Sequence, residues 1–311
     1  MVVKNILKTV LFFVIGIILF FSFSYLFMPK KNLLKYGFYK TSLFEILGEN
    51  SKSIDVIVVG DSLVYSSISP MKIYGDYGYT VFNCAEPAQI ISDAYEYYKV
   101  SVESQKPKIV FIEANMLFRD SSKKPWYNRY LKIFKNSTPL FKYHNNWKKI
   151  LFSNIGLKNK DKGYIFSNKI KPSKNFDYMA NNKRKYNISQ VNIDYIEKML
   201  DIANKNNIKV VLLGLPSQKS WNNDKHKKIL KLAKDYQLDY LNLNLIDDIN
   251  IDWNKDTKDR GDHLNSYGSK KVSKYIGKYL KDTNILKSHK KDKKYKDWNT
   301  LYKLYAKNSD N

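Results

Sequence analysis

Three polar side chains of this sequence are of the types that acyl transfer requires. Ser62 follows Gly60 and Asp61 directly after an apolar run, and His263 lies far along the chain in a loop rich in carboxylates. A serine becomes a nucleophile when a histidine takes its proton and a carboxylate orients that histidine. The amide of Asn115 is a suitable donor to the oxyanion of such a reaction. Because Gly-Asp-Ser is also common in plain turns, the elements around it decide its meaning.

The elements that must position these residues are strands that alternate with helices. The first strand is predicted over Val56 to Val59 and stops at Gly60. Four later apolar runs are also typical of strands: Thr80–Ala85, Ile109–Ala114, Ile208–Gly214 and Asp239–Leu243. Helical spacing occurs in Ile90–Val102, Val191–Ala203, Trp221–Tyr236 and a last helix that Ser266 is predicted to cap. This alternation predicts βαβ units, and hence an α/β fold around a parallel sheet of roughly five strands.

A parallel sheet of this kind would gather the polar residues along one edge. Ser62 follows the first strand, Ala85 ends the second, Asn115 follows the third, and His263 follows the last. Open α/β sheets bind their ligands at the carboxyl ends of their strands. We therefore predict that these four residues converge, with a main-chain N–H near Ala85 facing the site.

The N-terminal segment is long and apolar enough to cross a bilayer. Thr9–Met28 carries no charge, and Lys4 and Lys8 precede it. The alternative is a cleaved signal peptide, but the run is long for one and no A-x-A-like cleavage site follows. Three lysines within residues 30–35 do not favour export, although long domains translocate largely regardless of flanking charge. We predict an uncleaved single-pass anchor in the cell membrane, with the following domain outside.

The chain divides into three regions by composition. We predict a membrane anchor over 1–30, an α/β domain over 31–286, and a basic tail over 287–311 in which Tyr295 to Ala306 could form a peripheral helix. The segment from about residue 119 to 188 is too long for a plain loop, and we predict that it is an insertion with short helices. A lid beside the site and a merely structural excursion are equally open for this insertion.

The charge balance and the cysteine count narrow the classes of partner. The chain has 54 basic and 29 acidic residues, which give a formal charge of +25. This charge favours an anionic polymer or an anionic membrane surface as a partner. The alternative is a solvated, lysine-rich surface with no such partner. Only four of the basic residues are arginine, so no nucleic-acid partner is predicted. Cys84 is the single cysteine, and we interpret it as a core residue. No zinc-type spacing or nucleotide loop occurs, so no metal or cofactor is predicted.

Four short motifs, in order, resemble those of the SGNH, or GDSL, hydrolase superfamily. They are Gly60-Asp61-Ser62-Leu63, Asn83-Cys84-Ala85-Glu86-Pro87, Glu113-Ala114-Asn115 and Asp262-His263-Leu264-Asn265. The resemblance covers roughly residues 54–118 and 189–281 and implies a three-layer sandwich. The anchor together with the motif at 262–272 is similar to bacterial cell-surface SGNH proteins, distant relatives of the protein that completes teichoic-acid D-alanylation.

The resemblance implies a role for each matching residue. Ser62 would be the nucleophile and His263 the general base. The N–H groups of Ser62 and Ala85 and the Asn115 amide would form the oxyanion hole. The family has glycine where this chain has Ala85, whose methyl group crowds the pocket.

The position of the triad acid is the second departure from the family pattern. The family's acid precedes the histidine by three residues, and Arg260 stands there in this chain. Asp259 lies four residues before His263, and Asp262 lies one before it. Adjacent side chains tend to point apart, so we favour Asp259 with a one-residue loop insertion over Asp262. Asp262 could otherwise form a turn or cap the following helix.

The function that these residues and the resemblance imply is that of a serine esterase or O-acyltransferase outside the cytoplasm. Its acyl group would be acetyl or D-alanyl, carried on a cell-envelope polysaccharide or teichoic-type polymer, and its partner could be a membrane-bound O-acyltransferase. The alternative is a degenerate SGNH fold that binds such a polymer or partner without turnover. Ala85 and the irregular acid spacing motivate that alternative.

Overall fold

The computed structural model describes residues 2–25, 45–119, 161–174, 177–180 and 185–309. The chain forms two compact units: residues 1–44 with 124–157, and residues 45–123 with 158–311. In the first unit the described residues form one helix, α1 (Val2–Tyr25), along which many large apolar side chains are exposed. Its stretch Lys4–Ser24 has the length and composition of a membrane span or a signal sequence. The end of the predicted span, up to Met28, lies outside the described residues.

The second unit is built around a five-stranded parallel sheet. Its strands are β1 (Val56–Gly60), β2 (Val81–Ala85), β3 (Ile109–Glu113), β4 (Lys209–Gly214) and β5 (Asp239–Asn242). They lie in the order β2-β1-β3-β4-β5, and every neighbouring pair is parallel. The first three strands are buried along their whole length, as expected for runs of apolar and β-branched residues covered on both faces. The predicted α/β fold with its parallel sheet is confirmed.

Helices cover the sheet and complete the layers. They are α2 (Ser62–Ser67), α3 (Pro70–Tyr77), α4 (Ile91–Gln105), α5 (Gln190–Lys205), α6 (Asn223–Asp235), α7 (Ser266–Asp282) and α8 (Lys296–Ser309). Helix α7 buries Val272 and Ile276 in one core with Val56 and Val58 of β1. Helix α4 packs against α5, and both also contact strands of the sheet. Strand residues alternate between two covered faces, which is the predicted three-layer arrangement.

The last helix is held in the second unit by aromatic and polar contacts. Trp298 of α8 is buried and lies with its ring centroid 5.2 Å from that of Tyr74. His289 Nε2 lies 2.6 Å from Asp55 Oδ2, and the His289 ring stacks on Tyr295 at 4.0 Å. The helix predicted over Tyr295 to Ala306 is therefore present and packs against α3.

The described part of the predicted insertion is an extended segment rather than a set of helices. Lys162 O accepts from Asn83 N at 3.0 Å, and Ile165 N donates to Tyr65 O at 2.8 Å. Gly163 has a φ of +83°, and a Cβ there would lie 2.2 Å from the Asn83 carbonyl oxygen. The segment therefore passes between the end of α2 and β2. Residues 120–160, to which both interpretations of the insertion apply, a lid and a structural excursion, lie outside the described residues.

Cys84 illustrates how closed the core of the second unit is. Its thiol is buried in β2, 3.4 Å from Ser101 Oγ, and burial raises its pKa to about 12. Because the thiolate is the reactive form, we expect no modification by iodoacetamide at pH 8 in the folded protein. Intact-mass measurement should show one adduct only after denaturation in guanidinium chloride. Stoichiometric modification of the native protein would contradict this placement.

Candidate active site

Ser62 lies at the junction where the first strand meets a helix. Strand β1 ends at Gly60, and Asp61 caps α2 by accepting from Leu63 N at 2.8 Å through Oδ1. Ser62 is therefore the first residue of α2, at the carboxyl edge of the sheet. A side chain at position 60 would come within 2.4 Å of Glu113 Cβ, so the close approach of β1 to β3 requires glycine there.

Ser62, His263 and Asp259 form a continuous chain of contacts. Ser62 Oγ lies 2.8 Å from His263 Nε2, and His263 Nδ1 lies 2.5 Å from Asp259 Oδ2. The other oxygen of Asp259 accepts the His263 backbone N–H at 2.7 Å. A serine, a histidine and a carboxylate in this order are what base-assisted nucleophilic attack requires. The structure thus brings together residues that are 201 positions apart in sequence.

A tight loop returns the Asp259 carboxylate to His263. Arg260 and Gly261 both adopt positive φ, at +66° and +88°. The backbone closes around them, because Lys258 N donates to His263 O at 3.1 Å and Gly261 N donates to the Thr257 hydroxyl at 2.8 Å. Arg260 is exposed, but Gly261 is buried, and its carbonyl oxygen accepts from Gln218 N at 2.7 Å, so only one of the two residues turns outward.

The electrostatics of the loop favour an ionised acid. Burial alone would raise the pKa of Asp259, but hydrogen bonds from the ring and backbone N–H of His263 outweigh it, and the pKa lies below its ordinary value. Burial lowers the pKa of Lys258, while Asp259 and Asp262 oppose that effect. Asp259 therefore carries its negative charge at neutral pH, as the orienting member of a triad must.

Asp262 lies beside the histidine ring but makes no hydrogen bond to it. Its Oδ2 lies 3.6 Å from His263 Nδ1, beyond hydrogen-bond distance, and its Oδ1 accepts from Ser220 Oγ at 2.7 Å and Ser217 Oγ at 3.3 Å. It does not cap α7. Asn265 is the N-cap and accepts from the N–H groups of the next turn, so the interpretations of Asp262 and Ser266 as caps are wrong.

The predicted oxyanion donors lie at the ends of the neighbouring strands. Ala85 is the last residue of β2, pairs in register with Gly60 and is buried. Asn115 follows β3 and is also buried, with its Nδ2 3.2 Å from Asp61 Oδ2. The amide nitrogen of Asn115 therefore faces the residue that precedes Ser62. An amide NH₂ has two donor hydrogens, so the contact with Asp61 leaves one for a developing oxyanion.

The chain is similar to several solved structures at low sequence identity. A GDSL-like lipase from Bacteroides thetaiotaomicron is 14% identical, with a TM-score of 0.39, and the match covers 77% of this chain and 95% of that one. A lipase/acylhydrolase from Enterococcus faecalis is 13% identical, with a TM-score of 0.42 and coverage of 74% and 96%. A family 3 carbohydrate esterase from Clostridium thermocellum is 12% identical, with a TM-score of 0.40 and coverage of 74% and 96%.

No protein-family model matches the chain, and no curated protein matches it. The proposed function therefore rests on the distances between side chains.

Three charged residues of the site have contacts that were not predicted from the sequence. Arg119 Nη1 lies 2.5 Å from the fully buried Asp61 carboxylate. Glu113 caps the turn after β3 by accepting from Asn115 N at 2.6 Å, and burial and the nearby Asp61 raise its pKa well above the usual range. Glu113 thus holds the backbone of the turn that carries Asn115. Of these contacts, only the N-cap role of Asp61 could have been predicted, because an aspartate directly before an apolar helical turn is typical of an N-cap.

Tyr65 is a further neighbour of the nucleophile. It lies three residues after Ser62 on α2, so both side chains share one face of the helix. Burial raises the pKa of the Tyr65 phenol, and a hydrogen bond with Ser62 partly opposes this. The Lys258 ammonium lies 5.9 Å from the Tyr65 ring centroid and 2.9 Å from Ser66 Oγ. A half-buried cation thus lies on the same side of the site as the serine.

One group of described residues has side chains close enough to hold a metal ion, and it contains His263 and Asp259 together with Asp262. Donor atoms of Asp259, Asp262 and His263 lie within 4.8 Å of one another. His263 Nδ1 is already engaged by Asp259 at 2.5 Å. These residues therefore form a hydrogen-bonded pair of an acid and a histidine.

Proposed function

We propose that this protein is a serine hydrolase that acts on ester bonds through an acyl-Ser62 intermediate. The observation that supports this most is the chain of contacts from Ser62 Oγ to His263 at 2.8 Å and from His263 to Asp259 at 2.5 Å. The alternative of a binding module without turnover gives no reason for this orientation of three side chains. All three lie at the carboxyl edge of a parallel sheet, where α/β sheets place their sites.

The reaction follows from the positions of these atoms. Ser62 Oγ attacks the ester carbonyl carbon while His263 Nε2 takes the hydroxyl proton, and Asp259 stabilises the imidazolium. The carbonyl oxygen becomes an oxyanion, which the N–H groups of Ser62 and Ala85 and the Asn115 amide stabilise. Collapse breaks the bond to the alkoxide, and His263 returns the proton to the leaving alcohol. Water, or the hydroxyl of an acceptor, then attacks the acyl-serine by the same steps in reverse.

A narrower form of the proposal concerns the substrate and the partner. We propose that the acyl group is acetyl or D-alanyl, carried by a cell-envelope polysaccharide or a teichoic-type polymer. The formal charge of +25 supports an anionic polymer, and the half-buried Lys258 beside Ser66 supports a negative group near the nucleophile. Transfer differs from hydrolysis only in the group that attacks the acyl-serine, which is an acceptor hydroxyl instead of water. For transfer, we propose a membrane-bound O-acyltransferase as the partner.

The test of the proposed function is ester turnover by the full chain in detergent micelles. We expect hydrolysis of p-nitrophenyl acetate that a fluorophosphonate abolishes, because only an activated serine reacts with that probe. Increasing p-nitrophenol release on addition of a sugar acceptor, with an acylated sugar as product, would support transfer. Absence of turnover together with absence of fluorophosphonate labelling would favour the binding module and contradict the proposal.

The location of the domain is a separate proposal. The exposed apolar surface of α1 supports a membrane anchor. We propose that the second unit lies outside the cell membrane, since long domains translocate largely regardless of flanking charge. We expect protease added to intact cells to remove an epitope placed at the C-terminus, while a cytoplasmic marker protein survives. Protection of the epitope until the cells are lysed would reverse the topology.

A further inference from the structure

Lys225 is a buried lysine whose ammonium lies against a predicted oxyanion donor. It is in the first turn of α6, where its backbone N–H donates to the N-cap Asn222 at 3.0 Å. Its Nζ donates to Asn115 Oδ1 at 2.7 Å and to the Ser220 carbonyl at 2.7 Å. Only 6% of the residue is exposed. Lysines are rarely this buried unless their charge is bonded, so a specific role is to be expected.

Aromatic rings complete the environment of this ammonium. Nζ lies 4.3 Å from the ring centroid of Tyr186 and 5.2 Å from that of Phe118. Ring faces attract a cation and partly replace the water that it loses on burial. The rings and the two carbonyl oxygens therefore hold the ammonium at one place, on the oxygen side of the Asn115 amide.

The Asn115 amide lies between two opposite charges. Lys225 is on its oxygen, and the Asp61 carboxylate is 3.2 Å from its nitrogen. Asp61 in turn is held by Arg119 at 2.5 Å. A rotation of the amide by 180° would place its oxygen on a carboxylate and its NH₂ on an ammonium, which is repulsive on both sides. The amide is thus held with its donor hydrogens on the side of Asp61 and Ser62.

We propose that Lys225 is a positioning residue that orients and polarises the Asn115 amide for oxyanion stabilisation. The ammonium draws electron density toward Oδ1, which makes the amide N–H a stronger donor. Lys225 acts through Asn115 and does not touch the reacting atoms. This inference rests on the proposed function, since it assigns Lys225 a part in the same reaction.

The first test compares substitutions of two lysines on the same helix. We expect Lys225→Met to lower kcat for p-nitrophenyl acetate by about 10- to 100-fold with little change in KM, less than the roughly 10²- to 10³-fold cost of removing an oxyanion donor itself. Lys225→Arg keeps a cationic donor and should retain more activity than Lys225→Met. Lys231→Met is the matched control and should leave kcat unchanged, because the Lys231 ammonium is exposed and pairs with Asp235 one turn further along the helix.

The second test is a double-mutant cycle with Asn115→Ala. If Lys225 acts through the amide, Lys225→Met should cause no further loss of kcat in the Asn115→Ala background. Multiplying losses would overturn the inference, as would equal activities of Lys225→Met and wild type. Thermal melting and circular dichroism check folding, and Lys225→Gln replaces the methionine variant in the cycle if that variant does not fold. An inactive wild type would instead refute the proposed function, which separates the two failures.

Discussion

Replacing Ser62 with alanine is expected to lower kcat for ester hydrolysis by on the order of a millionfold, the scale measured when a triad nucleophile is removed. Without Oγ, no bond to the acyl carbon can form, and His263 Nε2 loses the group that it contacts at 2.8 Å. Only the background rate from oxyanion stabilisation and binding should remain. The measurement is initial-rate kinetics of the full chain on p-nitrophenyl acetate, with enzyme concentration varied to detect the residual rate.

The control for this substitution lies on the same short helix. Ser67 is buried in α2, and its hydroxyl has no hydrogen-bond partner among the described residues. Ser67→Ala therefore removes no bond and should keep wild-type kcat and melting temperature. Equal activity of Ser62→Ala and Ser67→Ala would refute the assignment of the nucleophile.

The second large effect is expected for Asp259→Asn, which should lower kcat by roughly four orders of magnitude, as when a triad acid becomes an amide. Asp259 accepts from both the ring and the backbone N–H of His263, at 2.5 and 2.7 Å. An asparagine cannot stabilise the imidazolium by charge, and it favours the wrong tautomer of the ring. The rate loss should appear in kcat, because the Asp259 carboxylate acts through the His263 ring.

Asp262→Asn is the matched control, since it makes the same chemical change three residues away. The Asp262 carboxylate bonds to Ser220 and Ser217 and lies 3.6 Å from the ring nitrogen. An asparagine oxygen still accepts from these hydroxyls, so kcat should stay within about tenfold of wild type, since Asp262 makes no hydrogen bond to the ring. A larger loss for Asp262→Asn than for Asp259→Asn would transfer the role of triad acid to Asp262.

The strands and their order along the chain could be predicted because apolar, β-branched runs have few alternatives to a buried strand. That same pattern placed Ser62, Ala85 and Asn115 at one edge, because parallel strands end together. Cap assignments were less secure. Both Asn265 and Ser266 are good N-caps by residue type, and only the backbone shows that Asn265 accepts the N–H groups of α7.

The choice of acid depended on a loop conformation that residue types alone do not determine. Gly261 permits positive φ, but the +66° at Arg260 is unusual for a residue with a Cβ and depends on the surrounding hydrogen bonds. The contact of Lys225 with Asn115 could not be predicted for a different reason. Lys225 belongs to a lysine-rich amphipathic helix, and its contact with Asn115 joins residues 110 positions apart. Such a pairing follows from tertiary packing alone.

The central claim is that His263 and Asp259 make Ser62 a nucleophile, and covalent labelling tests it most directly. The full chain is treated with a fluorophosphonate, digested, and the adduct is located by tandem mass spectrometry. We predict a single adduct on Ser62, none on the neighbouring Ser66 and Ser67, and no adduct when His263 is replaced by glutamine. An adduct on another residue, or labelling of Ser62 that persists unchanged in His263→Gln, would contradict the account.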